Sequence, residues 1–193
     1  MTRPKVAVLA SGNGSNFQVL AEAFQKGNID GELVLLFSDQ PKAYVLERSQ
    51  QLGIEARSFS PKNFASKKAY EVTLLQLLMD KEIDLILLAG YMRIIGDTLL
   101  KAYPNRIINI HPSLLPDFPG LHGIQDAFEA GVTETGVTIH FIDDGVDTGP
   151  IIAQGKVTVS EDDTLESLEE KIHALEHQLY PQVVAKVIAE NFK

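Results

Sequence analysis

Four short runs of this chain are apolar on consecutive residues rather than on alternate ones: VAVLA (6–10), LVLLFS (33–38), LILL (85–88) and IINIH (107–111). Successive side chains of a strand face opposite ways, so such runs must be covered on both sides. The segments between them, 17–26, 43–52, 67–81 and 97–103, carry apolar residues at helical spacing. Strand and helix in repeated alternation predict an α/β fold: a doubly wound, mostly parallel twisted sheet with helices on both faces and right-handed crossovers.

Beyond residue 111 the pattern changes. GVTIHFI (136–142) and residues 151–159 alternate more, and are expected to form an antiparallel strand pair around the turn DDGVDTGP. A final helix is expected from Leu165 to about Asn191, after the acidic SEDDT, because carboxylates favour a helix N-terminus. Pro181 is expected to end or kink that helix.

The 193 residues are 45% hydrophobic, enough for one domain with a sizeable core. There is no cysteine, which excludes disulfides and thiolate metal sites and fits a reducing compartment. The apolar run near the N-terminus is too short for a signal-peptide core, and nothing approaches the ~20 apolar residues of a membrane span. A cytoplasmic protein without membrane attachment is expected. The net charge of −9 argues against a nucleic-acid partner, which needs Lys and Arg to neutralise phosphates. An anionic small substrate must then be held by local donors.

Because ligands of such sheets sit outside the carboxyl ends of the strands, chemistry is sought there. LASGNGSNF follows the first strand and opens the first helix. Gly12 and Gly14 allow a tight turn, and the N–H groups of Gly14, Ser15 and Asn16 would meet an anion at the helix N-terminus. The stretch is neither a Walker loop nor a full dinucleotide fingerprint, and a plain glycine turn fits it as well. Asp39, in SDQP, reads as ordinary turn chemistry. In INIHP, Asn109 and His111 share one strand face, an amide donor beside a titratable imidazole, ahead of a stiff turn rich in proline. Such a pair suits acyl transfer, polarising a carbonyl and moving a proton. Asp147 of DTGP is placed to orient His111, while Asp143 and Asp144 fit a solvated turn. HALEH (173–177) has the inverted zinc-peptidase spacing, with His173 and His177 one helical turn apart, but little chain follows to supply a further ligand.

SGNGSN, LAGYMRI, NIHPSLLPDFPGLH, GVTIHFIDDGVDTGPII and HALEHQLYP, in this order, resemble the folate-dependent glycinamide ribonucleotide formyltransferases of purine synthesis. The resemblance implies a single formyltransferase domain over 1–193, with a phosphate-binding half to about residue 105 and a catalytic and folate half from about 106. It implies transfer of a formyl group from the co-substrate 10-formyltetrahydrofolate to the amine of 5′-phosphoribosylglycinamide, with no metal. Asn109, His111 and Asp147 stand at the catalytic positions. Gly14, Ser15, Asn16 and Glu176 stand at the phosphoribosylglycinamide site. Lys67, Met92, Arg93, Ile94, Ile95, Asn109 and Asp144 stand on the folate side. Lys67 replaces an arginine of some relatives, and the residues after His122 depart from polar ones in others. The partners implied are these two small molecules and, in assembly, a homodimer. Methionyl-tRNA formyltransferase and formyltetrahydrofolate hydrolase share the transfer core, and are expected to carry an added C-terminal and N-terminal domain respectively. A non-enzymatic phosphoryl-ligand binder using SGNGSN alone is the alternative from another class.

Overall fold

The computed structural model describes residues 2–192. Its seven strands are β1 (Lys5–Leu9), β2 (Glu32–Ser38), β3 (Glu55–Ser58), β4 (Leu85–Leu88), β5 (Ile107–His111), β6 (Glu134–Phe141) and β7 (Ile151–Thr158). They form one sheet in the order β3-β2-β1-β4-β5-β6-β7. The first five pair in parallel, while β6 runs antiparallel to both β5 and β7. The helices are α1 (Ser15–Gln25), α2 (Val45–Gln51), α3 (Lys67–Asp80), α4 (Asp97–Ala102), α5 (Gly123–Glu129) and α6 (Leu165–Asn191).

The consecutive apolar runs are explained by two core layers. Val6 and Val8 of β1 pack with Phe17, Leu20 and Tyr180 on one face, while Ala7 and Leu9 pack with Tyr70, Leu74 and Leu99 on the other. All four β1 side chains are fully buried, as strand alternation between two covered faces requires. In β5 the same alternation sends Ile108 and Ile110 into the first layer. Ile107 joins the second layer, and Asn109 and His111 follow it on that face.

Strand order reverses between β1 and β4, because β2 and β3 extend one way and β5 to β7 the other. The loops after β1 and β4 therefore diverge and leave a crevice at their carboxyl ends.

α6 continues through Pro181. A proline removes one intrahelical hydrogen bond, but Leu168, Ile172, Tyr180, Val183, Val184, Val187 and Ile188 are buried on both sides of it, and that packing holds the axis. The helix begins with a reciprocal cap: Thr164 accepts from the Ser167 amide, and Ser167 accepts from the Thr164 amide. Tyr180, fully buried, donates to the Leu88 carbonyl at 2.8 Å and lies 3.3 Å from that of Ile108. This fixes α6 against the ends of β4 and β5, with Glu176 one turn away on the same face.

Candidate active site

The crevice holds a cleft of about 550 Å³, within the usual range for small-molecule sites. Three strand ends form it: the turn Gly12–Asn16 after β1, residues Leu88–Ile95 of β4 and its loop, and Asn109–Pro112 of β5. The loop between β6 and β7, from Ile142 to Asp147, and His173 and Glu176 of α6 complete it. Residues from both halves of the chain line it.

At one end α1 starts with no side-chain cap and no acidic residue in its first turn. The N–H groups of Ser15, Asn16 and Phe17 precede the first helical acceptor pattern and point out of the helix N-terminus, a ready anion site. Gly14 sits at φ 81°, and a side chain there would overlap Val45 of α2. Arg48, also on α2, donates through Nε to the Asn13 carbonyl at 2.7 Å and through a terminal nitrogen to Asn13 Oδ1 at 2.6 Å. It sets a cation directly behind the turn, a local offset to the acidic protein as a whole. His177 Nε2 lies 3.1 Å from Ser15 Oγ, so α6 also touches the anion site. Burial pushes the His177 imidazole below its ordinary value, so it meets Ser15 neutral.

Glu176 is buried, and His173 Nδ1 donates to its Oε1 at 2.8 Å. That hydrogen bond raises the His173 pKa above its ordinary value. Both residues line the cleft, so Glu176 does not face it alone, while His177 packs toward Ser15. The imidazole pair of HALEH is engaged with Glu176 and Ser15. Among the described residues no group of three or more His, Cys, Asp or Glu is arranged to hold a metal.

At the centre, His111 is 4% exposed. Its Nε2–H donates to the Phe118 carbonyl at 2.8 Å, leaving Nδ1 toward Asp147 Oδ2 at 3.6 Å. Asp147 is held in turn by the Gly120 amide, which donates to Oδ2 at 2.8 Å. Asp147 adopts φ 54°, a left-handed conformation costly for a residue with a side chain. Gly149 makes that turn possible, since a Cβ there would overlap the Phe141 carbonyl. Asp143 accepts from the Thr148 hydroxyl and the Gly145 amide, which hold its carboxyl below the usual range and close the turn.

His140 extends the cluster. On β6 it stands directly opposite Asn109 of β5. Its Nδ1–H donates to the Phe141 carbonyl at 2.9 Å, so Nε2 is the acceptor for Asn109 Nδ2, 3.4 Å away. Burial keeps this imidazole below its ordinary value, outweighing Asp147 at 3.8 Å. A neutral ring thus fixes which way the Asn109 amide faces, leaving its second hydrogen for a ligand.

At the other end, Met92 and Ile94 are 58% and 62% exposed and form an apolar wall, with Ile95 buried behind them. Arg93 lines the cleft, but its Nε donates to Asp39 at 2.8 Å. Asp39 is fully buried rather than a solvated turn residue.

Of the expected site residues, Gly14, Ser15, Asn16, Met92, Arg93, Ile94, Ile95, Asn109, His111, Asp147 and Glu176 come together at the cleft. Lys67 heads α3 with its side chain exposed, and Asp144 is exposed at the tip of its turn. Neither belongs to the cleft wall, where Asp143 and Gly145 stand in place of Asp144. Arg48, Asp39, His140 and His173 were not singled out for this site from the sequence. The partners of Arg48 and Asp39 lie up to 54 residues away in the chain, whereas His140 inside GVTIHFI and His173, three residues from Glu176 in HALEH, carried a local signal.

A bare helix N-terminus, an Asn–His–Asp cluster and an apolar wall in one cleft are the parts expected of a group-transfer enzyme on a doubly wound sheet. Residues 4–184 match the family described as Formyl transferase, and the chain belongs to that family. A phosphoribosylglycinamide formyltransferase of Bacillus subtilis is 49% identical over 97% of this chain and 96% of its own. The trifunctional purine biosynthetic protein adenosine-3 of Drosophila melanogaster is 43% identical over 96% of this chain, which spans 14% of that protein. The crystal structure of glycinamide ribonucleotide transformylase 1 from Geobacillus kaustophilus matches with a TM-score of 0.94 at 49% identity, over 96% of this chain and 99% of that one. Among the described residues no helix is long and apolar enough to cross a membrane.

Proposed function

We propose that the chain transfers a formyl group from 10-formyltetrahydrofolate to the primary amine of 5′-phosphoribosylglycinamide, a step of purine (IMP) assembly. The observation that carries this reading is the meeting of three features in one cleft: a bare helix N-terminus, Asn109–His111–Asp147, and an apolar wall. A substrate with phosphate at one end and an amine at the other spans the first two. A flat folate ring lies against Met92–Ile95, presenting its formyl group at the centre. The similarity to formyltransferases of the same length supports the choice of substrates.

In this reading the turn Gly14–Asn16 and the N–H groups of α1 hold the phosphate, with Arg48 behind them. Glu176 accepts a hydrogen bond from the glycinamide end. The amine attacks the formyl carbon, so a C–N bond forms while the carbonyl oxygen gains negative charge. The free Asn109 amide hydrogen and a proton on His111 Nδ1 donate to that oxygen, with the Asp147 carboxylate 3.6 Å from the same nitrogen. As the tetrahedral centre collapses, the bond to N10 of the folate breaks, and the proton lost by the amine passes to N10. Asp147 is placed to relay it through His111 or a water. Because the donor is already activated, the reaction needs neither ATP nor a metal. We place it in the cytoplasm, where a chain without cysteine meets both substrates.

The test is purified protein with both substrates, EDTA and no nucleotide, following tetrahydrofolate release. Undiminished turnover is expected. Activity that requires ATP and free formate in place of the folate would overturn the assignment.

A further inference from the structure

The apolar wall of the cleft is a loop, yet it is tied at both ends to buried carboxylates that do not themselves line the cleft. At the first end stands Asp39, which closes β2 and is fully buried. Ser11 Oγ donates to Asp39 Oδ1 at 2.6 Å and accepts from the Met92 amide at 2.8 Å, so the hydroxyl relays the carboxylate to the wall. Asp39 Oδ2 accepts from Arg93 Nε at 2.8 Å. At the far end stands Glu71 of α3, 4% exposed. Its Oε2 accepts from the Gly96 amide at 2.9 Å and its Oε1 from the Leu99 amide at 3.0 Å, capping α4, whose own N-cap residue is a glycine. A Cβ at position 96 would stand 2.9 Å from Glu71 Oε2, so a larger residue there would displace that carboxylate. Between the two, the Tyr91 and Tyr70 hydroxyls meet at 2.6 Å.

Burying a carboxylate is costly unless it is hydrogen-bonded or paired. Two are buried here: between them they accept directly from Arg93, Gly96 and Leu99, and Asp39 reaches the Met92 amide through the Ser11 hydroxyl. The geometry points to Asp39 and Glu71 as positioning residues for folate recognition. They hold the loop so that its backbone groups and the Met92 and Ile94 side chains present one rigid surface to a flat ring. A loop ordered before binding spares the ligand the entropy of ordering it. Ser11 immediately precedes the anion-binding turn, and its amide donates to the Gly90 carbonyl at 3.0 Å, so the same hydroxyl registers the wall against that turn.

This inference rests on the formyl-transfer reading for the identity of the ligand, but the rigidity it asserts is measurable without one. Asp39→Asn and Glu71→Gln preserve shape while removing charge and one acceptor. For each folded variant, tetrahydrofolate and phosphoribosylglycinamide affinities are measured separately by calorimetry, alongside amide hydrogen exchange. The expected result is about tenfold weaker tetrahydrofolate binding, the loss of one charge-assisted bond that orders the wall. Phosphoribosylglycinamide should stay within about twofold. In turnover, KM for the formylated folate should rise more than kcat falls. Exchange should quicken at the Met92 amide in Asp39→Asn, and at the Gly96 and Leu99 amides in Glu71→Gln. Unchanged tetrahydrofolate affinity, or equal weakening of both ligands, would overturn the inference. A wild type that binds neither ligand would sink the formyl-transfer reading instead; the positioning role would then fall as well if the three amides exchanged at wild-type rates in the variants.

Discussion

Asp147 Oδ2 lies 3.6 Å from His111 Nδ1, and the opposite ring nitrogen of His111 is already committed to the Phe118 carbonyl. The separation exceeds a hydrogen bond, so the pair is not a locked contact and leaves room for a proton to pass. Strand β5 aims the imidazole, the loop after it holds Nε2, and a turn with left-handed backbone delivers the carboxylate to Nδ1. Three separate elements thus agree on one nitrogen.

Asp147→Asn keeps the shape of the side chain but removes the charge beside His111. The chemical step should slow by about 10²–10⁴-fold, the range for losing acid–base assistance. Asn109→Ala should cost about 10²–10³-fold, as for one oxyanion donor. Binding of both substrates should change little in either variant. Single-turnover rates with ligand titrations check this, and near-normal turnover in Asp147→Asn would show that DTGP is only a turn.

His140 gives a pH signature. Its folded pKa lies below its ordinary 6.5 because burial disfavours the cation. The unfolded chain therefore takes up a proton first, so its contribution to stability is complete above about pH 6.5 and is lost progressively as pH falls below that. His140→Asn should flatten the fall of Tm between about pH 6.5 and 5. It should also lower kcat, since Asn109 loses the acceptor that orients it. Parallel Tm profiles for wild type and variant would contradict the assignment.

Phosphate capture is better probed at Ser15 than at Gly14. Any side chain at Gly14 meets Val45 and a φ of 81°, so Gly14→Val should destabilise the whole fold as well as block the anion. Ser15→Ala removes one donor and the contact to His177, and should weaken phosphoribosylglycinamide by about 0.5–1.5 kcal/mol while leaving folate affinity unchanged. Equal loss for both ligands would place Ser15 outside the anion site.

The sheet was legible because its strands are apolar on both faces, which few other structures tolerate. β4 and β5 fall on the residues expected. β3 was missed because EARS is short, lies at the sheet edge and alternates with charged residues facing solvent. α5 was missed because it is short and starts at a glycine without a capping side chain. α1 starts at Ser15 rather than Phe17, which puts the expected Ser and Asn inside the helix N-terminus itself. At the site, residues within one motif were readable. Asp39 was read as a turn residue because its partners, Ser11 and Arg93, meet it only through the sheet order. The Asn109–His140 pair depends on the register of β5 against β6, which sequence alternation leaves open.

Removing Glu176 should weaken phosphoribosylglycinamide by about 1.5–3 kcal/mol, the worth of a charge-assisted bond. His177→Ala should cost stability and part of the phosphate affinity through Ser15, with kcat largely kept. Calorimetry on both variants, with metal analysis of the wild type, checks this. Stoichiometric zinc that vanishes together with activity in His177→Ala would reassign HALEH to metal binding.

In the proposed reaction the formyl carbon ends on the amine of the phosphoribosyl substrate. Wild-type protein given 10-formyltetrahydrofolate labelled with carbon-13 in the formyl group, and phosphoribosylglycinamide, is followed by NMR in the presence of EDTA. The label should move into a formamide of the glycinamide product at the rate of tetrahydrofolate release. Label appearing as free formate at that rate, whether or not phosphoribosylglycinamide is present, would contradict it and show a hydrolase.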